Sequence, residues 1–542
     1  MGWKLQRPQV TRRLLKIYVA IFLSSFSNAY VIAMLYPFLP FMVGFLLPNI
    51  DEASISKYAG IVATAFYIGR LVGSYVWGGI ADCIGRKPVL IMCGVMLILT
   101  SVLFGFSINF VMCVLARFLM GLCCGILVVV RAVISESSSD SNQAFGLSIL
   151  TFSWLLAVVM SSALSGVTAD PIGQYNLTLS NGTLKTFLTD YPYAPPCLIS
   201  CLVLMVGVFS VILLLPETLN RHKPQTACED DSAASAFLPS TTSDVPLEMK
   251  ACVTSSNEIA DSGMHETAEQ QPGVPADNET RNSDAHSDDR MQNPSMAGHE
   301  VTFIKWKSAI HNGSKKLMAD LKYIICNKAT MLATVSHCIL AANDVGLDTL
   351  YALWCATSVT MGGLGFTVKD IGVSSSISAA LLTPFSLVAY PLLEKKIGSI
   401  NTCQMSVIIL MFCTILFPNI HHLTLVSDLD PAVLWTVLIL TRLVSIVFLE
   451  TCFAAQCLLI NNSVTSDKFG SVNGIAVSLS DIFRAAFLAA TGVIYSVSLS
   501  KETSAIGFPF DYNITFILYG ACLLIITFLT ACLPSSVNHK KL

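Results

Sequence analysis

Twelve apolar runs, each about as long as the roughly 20 residues that cross a bilayer as a helix, divide this 542-residue chain and leave it few ways to fold. They lie at 17–46, 58–80, 88–108, 110–133, 143–168 and 193–216, then at 328–356, 370–393, 402–420, 432–460, 470–498 and 512–534. Only 12% of the residues are charged and 54% are hydrophobic, against about 25% charged in soluble domains. The chain is therefore expected to be an all-α membrane protein with twelve transmembrane helices. A net charge of −3 gives no basis for nucleic acid as a partner. The expected partners are the lipid bilayer and a small-molecule solute, with the chain itself a monomer. Most of the 18 cysteines, among them Cys113, Cys123, Cys124, Cys338 and Cys457, fall inside apolar runs. There Cys acts as a small buried hydrophobe and not as part of a disulfide framework. The first run is too long for the apolar core of a cleavable signal peptide and reads as a signal-anchor and first span.

Between the sixth and seventh runs the composition changes. Residues 217–321 are rich in Ser, Thr, Asp, Glu, Asn and Gln, as in Asp284-Ala285-His286-Ser287-Asp288-Asp289-Arg290. Such sequence cannot bury enough apolar surface to offset its ordering entropy. The expected organisation is a six-helix bundle over 1–216, a disordered cytoplasmic linker over 217–321, and a second six-helix bundle over 322–542. Arg7, Arg12, Arg13, Lys16, Arg86, Lys87, Arg221, Lys223, Lys395, Lys396, Lys468, Lys540 and Lys541 fall on one side of this scheme; Lys57, Lys185, Lys369 and Lys501 fall on the other. The bias places both termini and the linker in the cytoplasm, at the plasma membrane or an endolysosomal or vacuolar membrane. Asn176 and Asn181 head sequons in one loop on the opposite side, where they would be glycosylated.

Charges beside membrane-depth segments are costly unless they have partners, which marks the interhelical turn Gly78-Gly79-Ile80-Ala81-Asp82-Cys83-Ile84-Gly85-Arg86-Lys87-Pro88. Asp82 can cap a helix end while Arg86 pairs across to another helix. Gly78 and Gly79 permit close packing, and Pro88 suits the first turn of span three. The turn resembles the signature loop between the second and third helices of major facilitator superfamily transporters. Further stretches include Phe66-Tyr67-Ile68-Gly69-Arg70, Arg117-Phe118-Leu119-Met120-Gly121, Leu215-Pro216-Glu217-Thr218, Asp344 with Asp348, Tyr351-Ala352-Leu353-Trp354 and Asn473-Gly474-Ile475. Together they are similar to the zinc-induced facilitator-like branch over nearly both halves. The resemblance implies the major facilitator fold, two pseudo-symmetric six-helix bundles that transport by alternating access. It makes Gly78, Asp82, Gly85, Arg86 and Lys87 a gate latch, with Arg131 and Glu136 at the end of span four as expected partners. Glu394-Lys395-Lys396-Ile397-Gly398 holds the equivalent place in the second half as a degenerate latch. The resemblance also implies proton antiport, and two departures bear on it. Span five reads Ser161-Ser162-Ala163-Leu164-Ser165-Gly166 where that family has Gly-Pro, and span eleven reads Phe487-Leu488-Ala489-Ala490-Thr491-Gly492 where it is glycine-rich. Serines still permit close helix approach.

Arg70, Arg117, Asp344, Asp348, Arg442, Glu450, Asp481 and Arg484 lie in or at the edge of apolar runs, where an ionisable residue is a functional candidate by default. Asp344 and Asp348, four apart, share a helix face. As a pair they could hold a proton or a cationic substrate; alternatively each salt-bridges an arginine. Arg117 and Arg442 occupy matching places in spans four and ten, which line the cavity of this fold together with spans one and seven. Each would face substrate or lock helices by an ion pair. Arg70 and Glu450 join them as proton or substrate candidates, and Asn28 in span one as a hydrogen-bonding group at the midplane. Asp481 and Arg484, three apart, are expected to satisfy each other, and His337 to be packed. Neither a phosphate-binding loop nor zinc-ligand spacing occurs in the sequence, so no enzyme, no metal and no cofactor beyond a coupled proton is expected. The expected function is secondary transport of a small organic cation or zwitterion, coupled to protons through Asp344 and Asp348. An uncoupled facilitator and a transporter-like receptor or scaffold are the alternatives.

Overall fold

The computed structural model describes residues 11–137, 140–176, 182–218, 317–426, 430–465 and 468–538, with 140–144, 147, 382–392 and 469–470 given by their backbone alone. The expected 217–321 linker and the sequon at Asn181 thus lie almost wholly outside the described residues. The first half contains α1 (Arg12–Ala33), α2 (Glu52–Ile84), α3 (Arg86–Gly105), α4 (Phe110–Ser137), α5 (Asp140–Thr168) and α6 (Ala194–Leu214). The second begins with α7 (Lys328–Ala356) and a 49-residue helical stretch, Val368–Leu416, that breaks at Gly398 (φ 79°) into α8 (368–397) and α9 (399–416). It ends with α10 (Pro431–Ser463), α11 (Phe469–Ser498) and α12 (Asn513–Ala531). Among the described residues ten helices are long and apolar enough to cross a membrane, or eleven with the bent pair Leu317–Cys326 and Lys328–Ala356 taken as one. Counting α8 completes twelve. Helices satisfy every interior backbone group within the segment, as a hydrocarbon environment demands, and large side chains such as Leu99, Phe209 and Phe528 point outward.

Two spans are broken for local reasons. α1 stops before Pro37, which lacks the N–H needed to continue, and a short helix over Leu39–Leu46 completes the first expected run. α4 is interrupted at Cys124 and Gly125. There the Trp77 indole donates to the Leu122 carbonyl at 2.8 Å, and a Cβ on Gly125 would stand 2.5 Å from that of Trp77. The tryptophan both occupies the gap and satisfies a carbonyl freed by it.

The halves meet through α2 with α11 and α5 with α8. A Cβ on Gly60 would lie 2.9 Å from the Gly492 Cα, and one on Gly166 2.8 Å from the Gly372 Cα, so backbone touches backbone at both crossings. The serine-substituted span five is an unbroken helix that keeps this approach without a Gly-Pro bend. At the same end of the bundle the Glu52 carboxylate accepts a 2.6 Å hydrogen bond from the Ser358 N–H. Toward the Asp82 end no such approach occurs at Gly79 or Gly474 among the described residues, where a Cβ would have nothing within 4 Å.

Candidate functional site

At the Asp82 turn, Gly85 ends α2 with φ 113°, and a Cβ there would meet the Glu217 carboxylate at 2.5 Å. That carboxylate accepts from the N–H groups of Arg86 (2.9 Å) and Lys87 (3.2 Å), capping α3 with charge favourable to its dipole. Arg86 donates to Asp82 at 2.5 Å and to Glu136 at 2.7 Å, and the Thr218 hydroxyl donates to the second oxygen of Glu136. Lys87 donates to the Ile212 carbonyl. Gly78 faces Val128. The turn therefore binds the ends of α2, α4 and α6 to one another within the first half. Glu136 is part of it. Arg131 is not: five residues back along α4 it points about 140° away around the helix, is solvent-exposed, and lies in electrostatic reach of Cys457, Arg70 and Arg484. Glu217 and Thr218 are members that the charge pattern alone did not single out, although an acid just past span six at the same membrane face is a readable signal.

The second half repeats the backbone device without its charges. Gly398 again breaks two helices with positive φ, and Asn538, beyond α12, accepts a 2.8 Å hydrogen bond from the Ile400 N–H. Lys395 and Lys396 are exposed beside it.

Between the halves lies a cavity with about 710 Å³ of empty space. Tyr36 and residues of α5, including Trp154 and Ser162, contribute from the first half. Asp344, Asp348 and Tyr351 on α7, Ser375 on α8, and Arg442 and Glu450 on α10 contribute from the second. Arg442 is ion-paired to Asp348, its guanidinium 4.4 Å from the Tyr351 ring centre. The Tyr351 hydroxyl donates to the Ser374 hydroxyl at 2.8 Å. Asp344 and Glu450 are half-buried, and neither makes a hydrogen bond or ion pair with any described residue. The two aspartates that share a helix face are thus unequal: one is neutralised by Arg442 and the other is open to the cavity, opposite Glu450.

The remaining intramembrane charges sit elsewhere. Arg70 is ion-paired to Asp481, which is 1% exposed, and Arg484 binds the same carboxylate at 3.0 Å. Asp481 therefore joins α2 to α11 across the halves as well as satisfying its neighbour; the sequence trace of this is a lone Arg70 in one apolar run and an Asp481 with Arg484 in another. Arg117 is buried with no carboxylate partner among the described residues, its guanidinium 4.8 Å from the Phe66 ring centre and 5.6 Å from that of Phe104. Asn28 accepts a 3.2 Å hydrogen bond from the Cys124 thiol and is not among the cavity-lining residues. His337 is buried against Phe453. Asn176 ends a short surface helix in the left-handed conformation. No group of three or more His, Cys, Asp or Glu able to hold a metal occurs among the described residues, and their cysteines are all free thiols.

The family model of the Major Facilitator Superfamily matches residues 21–488. Protein ZINC INDUCED FACILITATOR 1 of Arabidopsis thaliana is 26% identical over 493 residues, covering 91% of this chain and 86% of its own length. The multidrug transporter mfsB of Aspergillus fumigatus is 25% identical over 494 residues, covering 87% and 77%. Among solved structures, a D-xylose–proton symporter superposes with a TM-score of 0.61 at 13% identity, covering 97% of this chain and 99% of that one. The partially occluded inward-open form of the Escherichia coli xylose transporter XylE gives 0.58 at 11%, covering 97% and 98%. A twelve-helix architecture, a central cavity between two halves and a match across most of the sequence lead to one conclusion: the chain belongs to the major facilitator superfamily and is a multi-pass membrane transporter.

Proposed function

We propose that the protein is a secondary active transporter that moves a small organic cation or zwitterion by alternating access, coupled to protons. One observation carries this reading: the central cavity collects three carboxylates, Asp344, Asp348 and Glu450, against the single guanidinium of Arg442. A surplus of carboxylates at membrane depth is costly unless a proton or a cation accompanies it. Asp348 and Arg442 form the fixed pair, and Asp344 and Glu450 are the groups that exchange partners during a cycle. The glycine crossings and the Glu52 contact favour a state closed at one end and open toward the Asp82 turn. The lysine and arginine bias of the sequence supports a cytoplasmic position for that open end. The lost Gly-Pro of span five does not argue against coupling, because Gly166 still meets Gly372. The relatives' names extend from a multidrug transporter to a proton symporter, which fits the class without naming the solute.

The test is reconstitution of the full chain in liposomes carrying an internal pH dye, challenged with a panel of organic cations and amino acids. A solute-dependent proton flux that disappears in Asp344→Asn is expected. Solute movement at the same rate with and without a pH gradient, unchanged by that substitution, would sink the coupling.

A further inference from the structure

A second compartment lies behind the ion pair of Asp348 and Arg442. It sits within the second half, between α7, α9, α10 and α12, and holds about 390 Å³ of empty space. Leu347, Leu410, Thr414, Phe417, Ser445 and Phe516 line this chamber and not the central cavity. All six are buried. The two hydroxyls among them are spent on their own helices: Thr414 donates to the Leu410 carbonyl and Ser445 to that of Thr441, each at 2.8 Å. Four apolar side chains and two engaged hydroxyls leave this wall with no free donor. A water inside would find few of the two to four polar partners it needs.

The register of two helices sets the boundary between chamber and cavity. Successive helical residues turn by about 100°, so around α7 Asp348 and Tyr351 lie within about 40° of Asp344, Leu347 about 60° to one side and Ala352 about 80° to the other. Asp344, Asp348 and Tyr351 line both spaces, Leu347 only the chamber and Ala352 only the cavity. α10 repeats the pattern in the same phase: Arg442, Ile446 and Leu449 line both, Ser445 only the chamber and Glu450 only the cavity. The crevice between α7 and α10 therefore faces both spaces, and the Asp348–Arg442 pair bridges it. Asp344 stands in this crevice and makes no hydrogen bond or ion pair with any described residue. Leu347 follows it within one helical turn, about 5 Å along the axis.

Building on the transport reading above, we infer that this chamber is a second compartment of the solute site. It takes an apolar group, aryl or branched alkyl, joined by a short spacer to the ammonium held at Asp344. At about 1.5 Å per bond, a spacer of about two or three carbons covers the one turn from Asp344 to Leu347. The open carboxylate complements the charge. The chamber, already formed and without free donors, buries the apolar group with no hydrogen bond to displace. Leu410, Thr414 and Phe516 then determine which apolar groups fit, although α9 and α12 are not among the four spans expected to line the cavity.

The test uses cations that differ only in the apolar group: ethylamine, 2-phenylethylamine and 2-(1-naphthyl)ethylamine. Binding to the purified full-length protein is measured as ligand-induced thermal stabilisation over a concentration series. 2-Phenylethylamine should bind about tenfold or more tightly than ethylamine, a difference of about 1.4 kcal/mol, which burial of about two methylene-sized groups supplies. Thr414→Leu, which fills the chamber, should bring that ratio below about threefold. Leu410→Ala, which enlarges it, should raise binding of the naphthyl cation relative to the phenyl one by about threefold or more. Should Thr414→Leu fail to fold, Leu410→Ala decides. Asp344→Asn should weaken all three cations. A phenyl preference that is absent or survives in Thr414→Leu, or size selection unchanged in Leu410→Ala, overturns the chamber and leaves cation binding at Asp344 standing. Cation binding indifferent to Asp344→Asn, or no response to any of the amines, overturns the transport reading and the inference with it.

Discussion

Replacing Asp481 by Asn should empty the conformation described here without unfolding the protein. The carboxylate is 1% exposed and holds Arg70 and Arg484 from two different helices, one of them in the opposite half. Removing one partner of a buried pair costs about 3–5 kcal/mol, because the other charge is left uncompensated. The Tyr67 ring, 4.9 Å from the Arg70 guanidinium, returns about 1 kcal/mol of this through cation–π attraction. A net penalty of about 3 kcal/mol falls on the state in which α2 and α11 are closed around the site. Unfolding would cost the whole stability of about 5–15 kcal/mol, whereas separating α2 from α11 hydrates Arg70 and relieves the penalty. The protein should take the cheaper route. About 3 kcal/mol corresponds to a shift of roughly 150-fold between conformations. Cys457 on α10 reports it, since it is exposed within electrostatic reach of Arg131 on α4 of the opposite half, and closure of the halves there would cover it. In a background with Cys228, Cys252, Cys326 and Cys532 changed to Ser, labelling of Cys457 by a water-soluble maleimide should slow by more than tenfold in Asp481→Asn. In Arg70→Gln with Asp481→Asn, which leaves no buried charge on α2, most of the rate should return. Unchanged labelling in a well-folded Asp481→Asn protein would mean that the pair is equally formed in both conformations, and the reasoning would fail.

Three further outcomes follow from the same geometry. Asp344→Asn and Glu450→Gln should abolish proton-coupled flux yet leave the melting temperature within about 2 °C, while Asp348→Asn should lower stability by about 1–3 kcal/mol by stranding Arg442, less than for a fully buried pair because Asp348 is 32% exposed. Gly372→Leu should reduce transport by more than tenfold with expression preserved: its Cβ would lie 2.6 Å from the Ser162 carbonyl oxygen and 2.7 Å from the Gly166 Cα, so wild-type turnover would show that this crossing never closes. Glu217→Gln should cost about 0.5–2 kcal/mol in thermal unfolding by weakening the charged cap on α3, an effect absent if water replaces the carboxylate there.

Much of this architecture is legible in the sequence because hydrocarbon solvent is unforgiving. Twelve apolar runs can only become spanning helices, and Gly85 with Arg86 and Lys87 fixes where one of the turns must lie. What escaped was partnership. Glu136 and Arg131 are both polar residues near one helix end, but a difference of five positions sends them to different faces, one to Arg86 and the other to an exposed position away from the turn. Asp344 and Asp348 share a face and read as equals until Arg442 is found on only one of them. Asp481 and Arg484 satisfy each other at three-residue spacing, as local pattern suggests, yet the decisive contact is with Arg70, 411 positions away. Local spacing reports which groups lie together on one helix. It carries no record of which helix faces them.

The two halves also differ in what their charges are for. Both build a break from a positive-φ glycine capped by a side chain from beyond their last helix, Gly85 with Glu217 and Gly398 with Asn538. The first half surrounds that break with Asp82, Arg86 and Glu136, all engaged with one another. The second half uses a neutral amide there and places its carboxylates deep on α7 and α10 instead. An ion cluster closed on itself can hold helix ends in register but has little capacity left for a passing solute. Asp344 and Glu450, without partners among the described residues, retain that capacity. Pseudo-symmetry of the backbone therefore coexists with an asymmetry of charge: the first half closes its ions on one another at the turn, and the second keeps Asp344 and Glu450 available for the exchange of partners proposed above.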